Sequence, residues 1–210
     1  MRRREPVVLL ALGVFALVVS GIAPKDRFTW FLEVAPILVA VPILLATYRR
    51  FPLTPLAYRL IFVHALILMV GGHYTYAEVP LGFWMQKAFG LARNDYDRIG
   101  HFAQGFVPAI LVREVLRRKK NPLPDDGWLF FLVSSVCLAI SACYELFEWG
   151  TAVATGAKSD AFLGTQGDPW DTQWDMLTAL IGSLVAQTML RRTHERQIAR
   201  LSATRAPGSA

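Results

Sequence analysis

Apolar residues fall in six long runs separated by short polar segments, at about 6–23, 28–48, 57–77, 99–117, 128–151 and 173–191. Each run is close to the ~20 residues that cross about 30 Å of hydrocarbon at about 1.5 Å per residue. None shows the period-two alternation of a barrel strand, and a helix satisfies its own backbone hydrogen bonds in lipid. The pattern predicts an all-α fold, a polytopic transmembrane bundle of six spans. It forms one domain over residues 1–192, followed by a basic tail over 193–210 that is expected to be disordered. The start, "MRRREPVVLLALGVFALVVSGIAPK", also suits a signal peptide with Ala23 as a cleavage position. Its apolar run is long for a signal and the rest of the chain is itself membranous, so the first helix is expected to be retained.

Composition agrees with the pattern. At 54% hydrophobic residues and positive mean hydropathy, the chain is too apolar for a soluble domain. Charge then sets orientation. With both termini cytoplasmic, the inner face receives 16 of the 22 Lys and Arg residues, among them Arg2–Arg4, Arg49, Arg50, Arg59, Arg113, Arg117–Lys120, Arg191, Arg192 and Arg205. The outer face keeps Lys25, Arg27, Lys87, Arg93, Arg98 and Lys158. This is the positive-inside distribution, so the pI near 9.6 reports topology and head-group contact rather than nucleic-acid binding, for which no motif is visible. All six tryptophans lie near span ends, as interfacial aromatics do. Cys137 and Cys143 are six apart within one span and face different ways, which excludes a disulfide between them.

The acids sort oppositely. Eleven of 16 are outer: Asp26, Glu33, Glu78, Asp95, Asp97, Glu145, Glu148, Asp160, Asp168, Asp171 and Asp175. Glu5, Glu114, Asp125, Asp126 and Glu195 are inner. Insertion does not require this, because acids contribute little to orientation. In "YELFEW" the fifth span has run about 17 residues before Glu145, and Glu148 shares its face one turn above, as does Ser141. In "DPWDTQWDM" Asp168, Asp171 and Asp175 share one face; Pro169 as first helical residue makes Asp168 the N-cap. Dipole stabilisation accounts for acids in a first turn, but Asp175 lies almost two turns in. In "NDYDRIGHFAQGFVPA" Asp97, His101 and Gln104 share a face, the carboxylate placed to orient the imidazole, and Pro108 frees an acceptor near Gln104. His73, Glu78 and Glu33 add polar groups near the outer ends of their spans, while His64, nearer mid-span, and His194, in the tail, are expected to lie outside any site.

The segments "YDRIGHFAQGFVPA", "YELFEW" and "FLGTQGDPWDTQWDM" together resemble the YjdF family of bacterial inner-membrane proteins, a resemblance covering most of the chain. It implies a multi-pass inner-membrane protein and supplies no activity. More distantly, the order Asp-x-x-x-His, a Glu-bearing helix, then Asp-x-x-x-Asp and Gly is similar to VanZ-like membrane proteins, which are associated with glycopeptide resistance. Asp97, His101, Glu145, Asp171, Asp175 and Gly182 match that pattern, whereas Ala179 and Glu148 stand where those sequences carry Asn and Gln.

Two mechanisms fit these residues. In one, a metal set of His101, Glu145, Glu148, Asp171 and Asp175 binds a divalent cation, with Asp97, Gln104 and His73 supporting it. His101, Glu145 and Asp175 then carry the chemistry of a hydrolase or transferase acting on a lipid or envelope precursor. An oxygen-rich set with one or two histidines suits Mg, Mn or Zn. No His-Glu-x-x-His and no Gly-x-Ser-x-Gly occurs, which removes the common zinc-protease and serine-hydrolase patterns. In the other, the same groups form a proton- or cation-coupled site of a small transporter or lipid-handling protein. An inverted repeat would favour that reading, and none is visible.

Overall fold

The computed structural model describes residues 4–119, 126–156 and 160–203. The assignments made above for Arg2, Arg3, Lys120, Asp125, Lys158, Arg205 and segment 204–210 lie outside the described residues. The described chain is helical, with no strand: α1 Arg4–Ser20, α2 Arg27–Thr47, α3 Pro55–Tyr74, α4 Pro80–Phe89, α5 Tyr96–Arg118, α6 Asp126–Thr155, α7 Asp160–Leu163 and α8 Asp171–Ala203. A 3-10 turn, Tyr76–Glu78, precedes α4.

The six apolar runs correspond to α1, α2, α3, α5, α6 and α8. On length and composition alone, α2, α3 and α6 qualify as membrane spans. The described part of α1 has 17 residues, and α5 and α8 carry charged residues on faces they turn toward each other. Local chemistry sets the ends. Asp26 caps α2 by accepting from the Thr29 amide at 2.6 Å, and Thr54 caps α3 with Pro55 as first helical residue. α5 runs through Pro108 without a break.

Polar ties place helix ends together. At one end Arg59 pairs with Glu5 at 2.6 Å, Arg118 donates to the Pro52 carbonyl at 2.8 Å, and Arg191 pairs with Asp126. This is the end with the basic excess, and the positive-inside rule assigns it to the cytoplasm. At the other end the Lys25 amide donates to the His73 carbonyl at 2.8 Å and Arg93 donates to the Thr165 carbonyl at 2.6 Å. α1 belongs to this bundle: Trp30 Nε1 donates to Ser20 Oγ at 3.1 Å, and the His73 ring binds the Ser20 carbonyl at 2.9 Å.

α5 and α8 make the closest approach. A Cβ on Gly105 would overlap the Ala179 carbonyl oxygen, and one on Gly182 would overlap the Phe102 carbonyl oxygen. Lipid provides no hydrophobic drive for helices to associate, so small residues that let backbones touch supply the dispersion energy instead. The buried residues of α8, from Asp171 and Asp175 through Ala179, Ser183 and Gln187 to His194, form one stripe on this seam.

The tail expectation is corrected here. α8 continues past the span to Ala203, a total of 33 residues or about 50 Å, well beyond the hydrocarbon thickness. Its cytoplasmic turns are held by tertiary partners: Gln197 Oε1 accepts from the Leu56 amide at 2.9 Å, Ile198 is buried, and Glu195 pairs with Arg113 and, at 3.1 Å, with Arg117. Burial pushes the Glu195 carboxyl up, but Arg113 and Arg117 outweigh it and hold the group below the usual glutamate range. Packing, not an apolar period, orders these turns.

Candidate functional site

The site is built at the extracytoplasmic ends of α5, α6 and α8. Asn94 fixes the start of α5: its side chain donates to the Val79 carbonyl at 3.0 Å and accepts from the Tyr96 amide at 3.1 Å. Its backbone exchanges two hydrogen bonds with the Gln166 side chain, at 2.8 and 3.2 Å. Gln166 has φ +49°, a conformation that a non-glycine residue holds only when its surroundings compensate. The loop before α8 is thereby pinned to the loop before α5. Asp168 then accepts from the Trp170 amide at 2.9 Å in the turn that precedes α8; the helix begins at Asp171, so Pro169 is not its first residue and Asp168 lies three residues before it instead of at the expected N-cap.

Below that seam, His101 lies among three carboxylates from three helical positions. Its Nε2 is 3.5 Å from Asp97 Oδ1 on the same helix and 3.8 Å from Asp175 Oδ1 on α8. Its Nδ1 is 3.2 Å from Gln104 Oε1 and 3.7 Å from Glu145 Oε1 on α6. His101, Glu145 and Asp175 are all buried, and Glu145 Oε1 has no hydrogen-bond partner. Asp97, His101 and Asp175 each offer one ligand atom, all within 4.8 Å of one another. The separations at Nε2 exceed hydrogen-bond length. They are near the about 3.0–3.4 Å that separates two donors each bound to one metal ion at about 2.1 Å.

The other expected residues are placed unequally. Asp171 is on the same buried stripe, but its Oδ1 is held by Arg93 at 2.6 Å and Arg98 at 2.9 Å. Glu148, half-buried a turn above Glu145, feels the charges of Asp97, Glu145, Glu33 and Asp175. Glu33, buried on α2, approaches the Tyr144 hydroxyl at 3.4 Å. His73 does not join: its ring is turned to the Ser20 carbonyl at 2.9 Å, so it ties α1 to α3 instead. Glu78 is exposed and pairs with Lys25. His64 stays within α3, and His194 lies at the cytoplasmic end.

Two arginines complete the site, and charge counting had placed them merely outside. Arg98 pairs with Asp175, with Asp171 at 2.9 Å and with Asp168 at 3.4 Å. Arg93 binds Asp95 at 3.0 Å as well as Asp171. Burial works against the Arg93 charge, but Asp95 and Asp171 more than offset it and raise its pKa above the ordinary value. An arginine retained on the outer face beside acids, against the positive-inside bias, is the signal that would have found them. Above them an open cleft of about 280 Å³ is lined by Ala92, Arg93, Asp95, Arg98, Asp168 and Trp174.

Comparison with known proteins places this arrangement in context. A family model described as "Predicted membrane protein (DUF2238)" matches residues 5–196. The chain is 55% identical over 184 residues to the inner membrane protein YjdF of Escherichia coli (strain K12), covering 88% of each chain. No solved structure matches. The VanZ-like resemblance gains no support from these comparisons.

Proposed function

From the premise that this chain belongs to the DUF2238 family of predicted membrane proteins and is a multi-pass inner-membrane protein, we propose that it is a divalent-cation-dependent enzyme acting on a phosphate-bearing lipid or envelope precursor. The observation carrying this reading is the convergence of Asp97, His101 and Asp175 ligand atoms within 4.8 Å at the buried outer end of the α5–α8 seam.

The two ring nitrogens of His101 divide the work. Nδ1–H donates to Gln104 Oε1 at 3.2 Å, which fixes the ring and leaves Nε2 as a lone pair aimed between Asp97 and Asp175. Three electron-rich atoms facing one another in a membrane favour positive charge among them; Arg98 supplies part of it at Asp175 Oδ1, and Mg, Mn or Zn would supply more. Glu145 lies on the Nδ1 side of the ring, so its role is less that of a direct ligand than of a base. If the site held a cation, which would supply a polarised water, the unpartnered Glu145 Oε1 would be the group placed to accept a proton. Asp171 is engaged with Arg93 and Arg98 and shapes the entrance rather than the cation shell. A proton on Nε2 would satisfy the same two carboxylates, which keeps a proton-coupled transporter or lipid-handling protein as the second reading.

Calorimetric titration of detergent-purified protein with Mn, Mg and Zn separates the two. The first reading expects one ion per chain, with Asp97→Asn weakening affinity at least about tenfold through loss of a charged ligand. No saturable uptake of any of the three ions would remove the first reading and leave the second.

A further inference from the structure

Beyond the cluster, the molecule carries a helix that no apolar run announced. α4 is ten residues long and follows α3 through the tight Tyr76–Glu78 turn. One side is locked down: Gly82 sits against the Asn94 side chain, and Gln86 donates to the Ala92 carbonyl at 3.2 Å. The opposite side is bare and apolar. Leu81, Trp84 and Ala88 recur at helical spacing and are all exposed, Trp84 by 61% and Leu81 by 49%. Exposed Lys87 flanks this stripe, and Phe89 meets the Trp84 ring edge-on at 6.2 Å.

Its position says what covers that face. α3 has 20 residues and so spans about 30 Å, the full hydrocarbon thickness, and α4 begins six residues after α3 ends. Trp149, Trp170 and Trp174, at the outer ends of α6 and α8, are also strongly exposed and mark the same boundary. A short helix with an apolar aromatic stripe and a flanking lysine at that level has the form of an interfacial helix.

We infer that α4 is seated in the outer leaflet, with Leu81, Trp84 and Ala88 toward the acyl chains and Lys87 among the phosphates of anionic lipids. The partner is the phospholipid surface itself. The seating also sets the height of the open cleft, because α4 leads through Ala92 into Arg93, both cleft-lining residues. A lipid head group would therefore reach the cleft by lateral motion in the leaflet. This inference stands whether or not the carboxylate cluster binds a metal.

The test uses the full-length chain in nanodiscs of phosphatidylethanolamine and phosphatidylglycerol. On a background of Cys137→Ser and Cys143→Ser, nitroxide labels at Leu81→Cys, Trp84→Cys and Lys87→Cys are compared for collision with oxygen and with a water-soluble nickel chelate. Labels at 81 and 84 should show an oxygen-to-nickel ratio at least about fivefold above that at 87, as expected for side chains about 5–10 Å below the head groups. In parallel, brominated lipids should quench the unlabelled protein more than its Trp84→Phe variant. Equal nickel access at all three positions, with equal quenching of both proteins, would put α4 in water and overturn the inference. Dipolar broadening between labels at 84, without oxygen preference, would overturn it in favour of a second copy of the chain.

Discussion

The α5–α8 pair carries a buried histidine–carboxylate cluster at each end, and the two are built to different standards. At the cytoplasmic end Glu114 accepts from the Thr54 amide at 2.9 Å and the Thr54 hydroxyl at 2.7 Å, binds His194 Nε2 at 3.0 Å, and pairs with Arg118. Glu114 and His194 are both fully buried. Both Glu114 oxygens have a donor at hydrogen-bond length, although His194 Nδ1 and Arg113 Nε are buried without a partner, and Arg113, Arg117, Arg118 and Arg191 face Glu114, Glu195 and Asp126. At the outer end His101 stands 3.5–3.8 Å from its three acids, and Glu145 Oε1 is unpartnered. Among the described residues, Arg93 and Arg98 are set against Asp95, Asp168, Asp171 and Asp175. The same residue types hold the inner Glu114 carboxylate with donors at hydrogen-bond length on both oxygens and leave the outer histidine and its acids at longer separations.

Substitutions that exchange the two behaviours break this comparison most sharply. Asp175→Asn should abolish divalent-ion binding by titration while leaving the melting temperature in detergent nearly unchanged, since one of several crowded carboxylates is neutralised. Glu114→Gln should do the reverse. It strands a buried histidine and arginine, and breaking a buried pair costs about 3–5 kcal/mol, read as a large drop in melting temperature with ion affinity intact.

Arg98→Gln sharpens the outer half. Arg98 holds Asp175 Oδ1, the same atom that faces His101, and so competes with a metal ion for it. Its removal should tighten Mn binding by at least about tenfold, since like charges a few ångströms apart repel by several kcal/mol at an effective dielectric near 20. The ion-free variant should melt earlier than the parent and be rescued by Mn, because a ligand bound only by the folded state stabilises it. Unchanged affinity would show that Arg98 lies clear of the ion.

Smaller effects belong to the partly exposed groups. The Glu195 carboxyl is held below its ordinary value near 4.5. Its contribution to stability is therefore full above that value and disappears as pH falls through the lowered one. With the side chain 37% exposed the amount is at most about 1 kcal/mol. Melting curves of Glu195→Gln should lose that part of the acid dependence. Asp168→Asn should be the mildest change, because an Asn side-chain oxygen can accept the same bond from the Trp170 amide and the Arg98 contact it weakens is already long at 3.4 Å.

The helical bundle and the approach of His101, Glu145 and Asp175 were legible in the sequence, since each helix shows its ionisable groups on one face and lipid repels such a face; Asp97 was expected beside them only as a support, while Glu148 and Asp171 were expected as ligands. The partners were harder to read. Counting Lys and Arg by side treats Arg98 as an exception to a bias and conceals three ion pairs. His194 reads as tail because its helix is ordered by Glu114, 80 residues distant, rather than by local periodicity. His73 carries the right chemistry at the right depth, but one face of α3 packs on α1, and helix rotation is not written in hydropathy. α4 hides because ten residues are too few for a hydropathy window to separate from a loop.

The central claim is that His101 Nε2, Asp97 and Asp175 surround one divalent ion. Pulsed electron paramagnetic resonance of the protein loaded with one equivalent of Mn in nanodiscs tests it directly. The expected spectrum carries electron-spin-echo modulation from a single directly bound histidine nitrogen, lost in His101→Gln and retained in His194→Gln. Bound Mn without nitrogen modulation, or modulation that survives His101→Gln, would contradict it.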